Sequence, residues 1–91
     1  MLTVFIMQGC PYCRNAKRAV KELQEENAAY RQAEISWIDE NLQPELARRY
    51  DYYYVPSVFL DGKKLYEAKP GESYAACKAQ MRAALDGALN G

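Results

Sequence analysis

The stretch Gly9-Cys10-Pro11-Tyr12-Cys13 decides the fold of this chain, because it lies where an apolar run ends and an amphipathic segment begins. The run before it, Met1–Met7, is apolar except for Thr3 and predicts a buried strand. The segment after it repeats apolar residues at helical spacing, namely Ala16, Ala19, Val20 and Leu23. This spacing predicts a helix from about Pro11 to Asn27, and a proline suits the first turn of a helix. The two cysteines therefore lie at a strand-to-helix junction.

Downstream of this helix the apolar pattern alternates between the period of strands and the period of helices. Asp61-Gly62 is a strong signal for a hairpin turn. The predicted elements are a strand at Tyr30–Ile38, a short helix from Pro44 to about Tyr50, strands at Val55–Leu60 and Lys63–Ala68, and a helix at Glu72–Leu89. This order predicts an α/β fold in which three helices flank a four-stranded mixed sheet, as a single domain over residues 1–91.

Composition and charge exclude several classes of function. Lys plus Arg and Asp plus Glu both number 12, so no overall positive charge favours nucleic acid or an anionic membrane. The opening apolar run lacks the basic start and the cleavage site of a signal peptide. No apolar stretch approaches the ~20 residues that span a bilayer. We therefore expect a cytoplasmic monomer with neither a nucleic-acid nor a membrane partner.

The closely spaced cysteine pair indicates redox or metal chemistry, because three cysteines are too few for a disulfide framework. At a helix N-terminus, unpaired backbone N–H groups and the helix dipole favour the thiolate form of a sulfur. We expect Cys10 to stay exposed at the helix start and to act as the nucleophile. Cys13 falls on the same stripe as Ala16, which predicts an inward-facing thiol that resolves a mixed disulfide at Cys10.

The charges of the predicted first helix are arranged against its dipole. Its first half carries Arg14, Lys17, Arg18 and Lys21, and its second half carries Glu22, Glu25 and Glu26. Acids near the start would stabilise the helix by about 0.3 to 1 kcal/mol each, so the inverted order favours a use for positive potential near Cys10. The alternative interpretation is a solvated face with i to i+4 pairs, such as Arg18 with Glu22.

The Cys10-Pro11-Tyr12-Cys13 motif, together with Val55-Pro56 some forty residues later, resembles the glutaredoxin family, and the similarity in element order covers nearly the whole chain. The resemblance implies a thioredoxin-like fold, a cis peptide bond at Pro56 and a thiol-disulfide oxidoreductase with catalytic Cys10 and Cys13. It also implies that Val55 pairs through its backbone with the substrate peptide or glutathione, and that Tyr12 packs beside the bound thiol compound. No tightly bound cofactor is implied, and glutathione would serve as a cosubstrate.

Two positions differ from the usual glutaredoxin pattern and leave the electron donor open. A basic residue often lies three positions before the first cysteine, where this chain has Met7. The paired glycines that hold the glutamyl end of glutathione align with Tyr66-Glu67, whose acid would repel a carboxylate. Arg48 or Arg49 is either a replacement anchor or a solvated charge. The segment Asp39–Gly62 also resembles thioredoxin, so the donor is glutathione or a protein of the thioredoxin-reductase type.

Two other functions stay open at this point. Thiolates also bind zinc and iron-sulfur clusters. The chain has no histidine and Cys77 lies far along the chain, so a four-ligand site would need unusual ligands or a second subunit, as in a dimeric cluster carrier. The other alternative is a non-catalytic adaptor that binds peptides at Val55-Pro56.

Two further features of the sequence have structural interpretations. Cys77 lies on an apolar stripe, which predicts a buried small side chain outside the site. The cluster Tyr50, Tyr52, Tyr53 and Tyr54 precedes Pro56 and predicts packing residues together with rings that face a substrate.

Overall fold

The structure, a computed structural model, describes residues 1–90. Within these residues the chain forms four strands, three α-helices and one 3-10 helix. In chain order they are β1 (Leu2–Ile6), α1 (Pro11–Glu26), the 3-10 helix (Ala28–Gln32), β2 (Ile35–Asp39), α2 (Pro44–Ala47), β3 (Ser57–Leu60), β4 (Lys63–Glu67) and α3 (Tyr74–Asn90). The α/β class and the element order match the prediction.

The second strand differs from its prediction, because the predicted start at Tyr30 is wrong. Asn27 is the residue at which α1 ends. Its side chain accepts a hydrogen bond from the Ala29 N–H at 3.1 Å, at the start of the 3-10 helix that follows. The Tyr30 hydroxyl donates to Asp86 in α3 at 2.7 Å, which holds this turn against the last helix. The strand therefore begins only at Ile35, the first residue that has a pairing partner in β1.

The other boundaries shift by smaller amounts. The third strand begins at Ser57, so Val55 and Pro56 precede the ladder, and the last helix begins at Tyr74. The Asp61-Gly62 turn is confirmed, since both residues have positive φ, 48° and 91°, as a type I′ hairpin requires.

The sheet order β2-β1-β3-β4 determines where the ends of the strands meet. The strands β1 and β2 are parallel, with Ile6 opposite Asp39, so their carboxyl ends lie at the same edge. The strand β3 is antiparallel to β1, with Phe5 opposite Ser57, and Ser57 in turn lies opposite Glu67 of β4. Four strand termini therefore converge at one end of the sheet, namely the ends of β1, β2 and β4 and the start of β3.

The sheet has an apolar cluster on each face. On one face, Leu2, Val4 and Val58 contact the buried residues of α1 and α3, of which Leu23, Met81 and Leu85 are at most 1% exposed. On the other face lies a smaller cluster built on Phe5, Ile38 and Phe59. The alternation of side chains along each strand places Val4 and Phe5 in different layers. No helix within residues 1–90 has the length and apolarity needed to cross a membrane.

We predict that Leu23→Ala lowers the free energy of unfolding by about 2 to 5 kcal/mol, because it leaves a cavity between α1 and α3. Leu23 is 0% exposed, whereas Leu42 is 79% exposed and makes a matched control. Urea denaturation followed by circular dichroism measures both variants. Leu42→Ala should change stability by no more than about 0.5 kcal/mol. Equal losses in the two variants would contradict the position assigned to α1.

Candidate active site

Cys10 is the N-cap residue of α1, and its sulfur lies against the first turn of that helix. Gly9 before it has φ +76°, a left-handed conformation that turns the chain from β1 into the helix. The Cys13 backbone N–H donates to the Cys10 Sγ at 3.2 Å, and the Arg14 N–H donates to the Cys10 carbonyl at 3.1 Å. A sulfur in this position interacts favourably with the positive end of the helix when it carries negative charge.

The expectation that Cys10 stays exposed is wrong, since only 7% of the residue is accessible. The sulfur is covered by the chain around Val55, whose carbonyl oxygen lies 3.7 Å from Cys10 Sγ as the acceptor of the thiol hydrogen. This contact joins residues 45 positions apart in the chain. It depends on tertiary packing, which the helical spacing of apolar residues does not predict.

Cys13 faces inward as predicted and is 4% exposed. Its pKa is raised from 9.0 to about 12, first by burial and then by its hydrogen bond to Cys10. The charges of Cys10 and Glu40 raise it further, while a backbone hydrogen bond at Met7 lowers it. Cys13 therefore keeps its proton at neutral pH in this dithiol state.

The peptide bond between Val55 and Pro56 is cis, which confirms the expectation from the glutaredoxin resemblance. Pro56 is fully buried and Val55 is partly buried beside Cys10. Ser57 directly after them donates to the Tyr54 carbonyl at 2.5 Å and begins β3. The segment before β3 is thus held next to the Cys10 sulfur from both sides of the proline.

Tyr12 lies between the two cysteines in the motif and connects α1 to the turn before α3. Its hydroxyl accepts a hydrogen bond from the Gly71 N–H at 2.7 Å. Gly71 has φ +84°, so the turn that presents this N–H is one that favours glycine. Tyr12 is half-buried. The turn at Gly71 therefore lies on one side of the cysteine pair.

A cavity of about 200 Å³ contains both cysteines. Its lining includes the loop from Ile6 to Cys10, then Cys13, Arg14, Lys17 and Asp39. Larger grooves of about 490 and 550 Å³ lie beside α2, and both include Arg49. No cysteine lines these larger grooves, so we place the candidate site at the smaller cavity, where the sulfurs are.

Glu67, which aligns with the usual paired glycines, is occupied by contacts within the chain. Its Oε2 accepts hydrogen bonds from the backbone N–H groups of Tyr53 and Tyr54 at 2.6 and 2.7 Å. Lys64 Nζ lies 2.8 Å from its other oxygen. Burial alone would raise the pKa of Glu67, but these three partners outweigh burial and lower it. The carboxylate therefore anchors the segment before Val55, a role that the sequence did not reveal.

The tyrosine cluster is divided between core and surface. Tyr50 and Tyr52 pack on Phe5, with ring centroids 4.8 and 5.0 Å apart. Tyr53 and Tyr54 are 88% and 54% exposed. The prediction that only some of these rings are packing residues is confirmed.

The remaining predicted candidates lie apart from the cysteines. Cys77 is 2% exposed in α3, and burial raises its pKa, as expected for a buried small side chain. Arg48 and Arg49 are exposed beside α2. Within residues 1–90 no group of three or more His, Cys, Asp or Glu side chains is arranged to hold a metal ion.

Glu40 was also missed by the sequence analysis, although its position could have indicated it. It follows β2 directly and its N–H donates to the Ile6 carbonyl at 2.9 Å, at the edge where parallel strands end. Its carboxylate accepts from the Tyr52 hydroxyl at 2.8 Å, and together with burial this raises the pKa of Tyr52.

Comparisons with known proteins agree with this architecture. The family model described as Glutaredoxin matches residues 2–65. Among solved structures, the zinc-bound form of human ERp44 matches with a TM-score of 0.58 and 20% sequence identity, covering 90% of this chain. The chain spans only 25% of the length of that ERp44 chain, and at this identity the likeness shows the fold alone. A search of curated protein sequences finds no match.

The mixed sheet, its flanking helices and the cysteine pair at the start of α1 define a thioredoxin-like α/β protein. The matched family model covers well over half of the chain, and the chain belongs to the glutaredoxin family. The resemblance carried by the CPYC motif and Val55-Pro56 is thereby confirmed at the level of fold and family.

We predict that Glu67→Gln destabilises the protein at neutral pH but not in acid. The folded-state pKa of Glu67 lies below its ordinary value of 4.5, so its contribution to stability is present above that value and lost as pH falls through the folded value. The difference in unfolding free energy between wild type and Glu67→Gln, from denaturation at several pH values, should shrink below pH 4.5. Glu25→Gln, at an exposed position that forms no salt bridge within residues 1–90, should show no such profile. A difference that persists unchanged in acid would contradict the anchoring role.

Proposed function

We propose that this chain is a thiol-disulfide oxidoreductase that reduces protein disulfides or glutathione mixed disulfides, with Cys10 as nucleophile and Cys13 as resolving thiol. The observation that supports this most directly is the Cys10 sulfur at the N-cap of α1. There it accepts the Cys13 N–H at 3.2 Å and lies 3.7 Å from the Val55 carbonyl. These contacts place one sulfur where negative charge is stabilised and where an extended substrate backbone would lie.

In the first step the Cys10 thiolate attacks one sulfur of the substrate disulfide. The substrate S–S bond breaks, a bond forms between Cys10 and the attacked sulfur, and the other substrate sulfur leaves as a thiolate that takes up a proton. Tyr12, Val55 and Pro56 shape the groove that holds the substrate beside Cys10.

In the second step Cys13 loses its proton and attacks the Cys10 sulfur. The mixed disulfide breaks, the substrate leaves as a thiol, and the two electrons of the dithiol end in the substrate while a Cys10–Cys13 disulfide remains. In the mixed disulfide Cys10 has no charge, so its charge and hydrogen bond no longer raise the pKa of Cys13. The resolving thiol thus becomes easier to deprotonate when it is needed.

A donor must then return two electrons to the internal disulfide. Two glutathione molecules or one reductase dithiol supply them. Glu67 stands where the family places paired glycines, and its carboxylate is paired with Lys64 at 2.8 Å, which offsets the repulsion expected toward glutathione. The activity assay therefore includes both donors.

The activity is tested by NADPH consumption with hydroxyethyl disulfide, using glutathione plus glutathione reductase in one assay and thioredoxin reductase in another. We expect turnover with one donor and its loss in Cys10→Ser, because Cys10 is the N-cap of α1 whereas the pKa of the buried Cys13 is raised to about 12. Cys77→Ala is the control and should keep activity, since Cys77 is 2% exposed within α3. Full activity in Cys10→Ser would overturn the proposal.

The roles of the two cysteines predict that Cys13→Ser accumulates a mixed disulfide through Cys10. With the resolving thiol removed, the covalent intermediate has no intramolecular route to break down. Incubation with oxidised glutathione followed by mass spectrometry of proteolytic peptides locates the adduct. An adduct on Cys77 instead would exclude the assigned roles.

Alkylation by iodoacetamide should also distinguish the cysteines. The pKa of Cys13 is raised to about 12, so its thiolate fraction stays small at pH 7 and increases only as pH approaches that value. We predict that Cys10 is modified first in the folded protein and that all three cysteines react in urea. Peptide mapping gives the order of modification, and earlier reaction of Cys13 would contradict its assignment as the resolving thiol.

A further inference from the structure

The acidic half of α1 has structural partners. Lys78 of α3 lies 3.4 Å from Glu22 and 2.5 Å from Glu26, and Arg82 lies 3.5 Å from Glu26. Arg18 pairs with Glu22 at 3.4 Å along the helix. The pairs made by Lys78 and Arg82 join α1 to α3, so Glu22 and Glu26 serve the packing of this helix.

Apart from Arg18, the basic residues of α1 have no ion-pair partner among residues 1–90. Arg14, Lys17 and Lys21 are exposed and form no salt bridge there. Arg14 lies nearest the helix start, where a positive charge opposes the helix dipole. The ion pairs that join α1 to α3 therefore do not involve these three cations.

These cations line two adjoining depressions. Arg14 and Lys17 belong to the cavity of about 200 Å³ that contains both cysteines. Lys17 and Lys21 line a groove of about 420 Å³ between α1 and β2, with Trp37 on its other wall. Lys17 Nζ lies 5.6 Å from the centre of the Trp37 ring. We refer to Arg14, Lys17, Lys21 and Trp37 as the basic groove, and Lys17 is shared by both depressions.

Among the described residues that line the two depressions, Asp39 is the one acid, and it lies at the cysteine end. Asp39 lines the smaller cavity, and its carboxylate accepts the Asn41 N–H at 2.8 Å. Glu40 is held by Tyr52 at 2.8 Å. The part of the groove from Lys17 to Lys21 is therefore positive, and it runs along β2, an edge strand of the sheet.

We propose that the basic groove binds an acidic segment of the polypeptide that carries the target disulfide. The inference rests on the proposed thiol-disulfide exchange and specifies its substrate class. Carboxylates complement the three unpaired cations, and an extended segment fits a groove bordered by an edge strand, where backbone pairing is available.

The dimensions of the helix limit where the acids should lie in the substrate. Cys10 and Lys21 are eleven residues apart on α1, about 16 Å at the rise of an α-helix. An extended chain covers this distance in about five residues. Acidic residues within about five positions of the target cysteine should therefore favour binding.

Binding is tested with two eight-residue peptides in which serine replaces the target cysteine and the flanking positions are either all Glu or all Gln. Trp37 is the single tryptophan of the chain, so its fluorescence reports occupancy of the groove without any redox step. We expect the Glu peptide to bind about tenfold more tightly than the Gln peptide. In 0.5 M NaCl most of this difference should disappear because salt screens exposed charges.

The variant Arg14→Glu/Lys17→Glu should lose the preference for the Glu peptide. The matched control is Arg31→Glu/Lys63→Glu, which changes the net charge equally at exposed positions away from the cysteines. The control should keep the preference. Equal loss in both double variants, or no preference in the wild type, would overturn the proposal.

Turnover separates this proposal from the proposed function. The same peptides with cysteine as a mixed disulfide with 2-mercaptoethanol should show about a tenfold difference in kcat/KM with the wild type and with Arg31→Glu/Lys63→Glu, and no difference with Arg14→Glu/Lys17→Glu. Turnover without discrimination between the peptides overturns the groove and leaves the oxidoreductase function. Charge-dependent binding without turnover of any substrate supports the groove and overturns the oxidoreductase function.

Discussion

Pairing of β1 with β2 on one side and with β3 on the other sets the position of every residue at the site. Parallel pairing brings Asp39 to the level of Ile6, and antiparallel pairing brings Ser57 to the level of Phe5. The chain leaves β1 directly into the Cys10 loop, so the cysteine motif, the end of β2 and the Val55-Pro56 segment must meet. A register shift of one residue in either pair would also move side chains to the opposite face of the sheet, so the different apolar clusters on the two faces hold this arrangement.

Burial around Cys13 gives the two sulfurs different environments within a single turn of helix. Cys10 receives a backbone hydrogen bond and lies beside a carbonyl, whereas Cys13 is enclosed by the sheet and has a pKa raised to about 12. Burial is the largest cause of that shift, and the hydrogen bond and charge of Cys10 add to it, so part of the shift depends on the state of Cys10. The acidity of the Cys13 thiol therefore depends on the charge of Cys10 as well as on its own burial.

The charged side chains of the molecule form two groups. One group makes internal packing contacts, and the other remains accessible to a partner. Glu22 and Glu26 connect α1 to α3, and Glu67 holds the segment that leads to Val55 through two backbone N–H groups. Among residues 1–90, the cations next to the cysteines, Arg14 and Lys17, form no salt bridge. The zero net charge of the chain therefore conceals a local positive surface beside the sulfurs. A surface of this kind acts on a partner at short range and in a manner that depends on ionic strength.

The local sequence pattern determined one part of this structure, and tertiary contacts determined another part. The sequence alone predicted the α/β order, the hairpin at Asp61-Gly62, the inward position of Cys13 and the buried Cys77, because periodicity and turn chemistry act over a few residues. It placed the second strand too early at Tyr30 and left Cys10 exposed. Both errors concern contacts with distant elements, namely Asp86 in α3 and Val55 before β3. The anchoring of the Tyr53-Tyr54 segment by Glu67, and the place of Glu40 beside the cysteines, likewise depend on strands that are neighbours only in the folded sheet. The sequence by itself determined the order of the elements and the place of the cysteine pair at the start of α1, whereas the tertiary structure decided how each cysteine is covered and paired, because burial and electrostatic contacts arise between segments far apart in the chain.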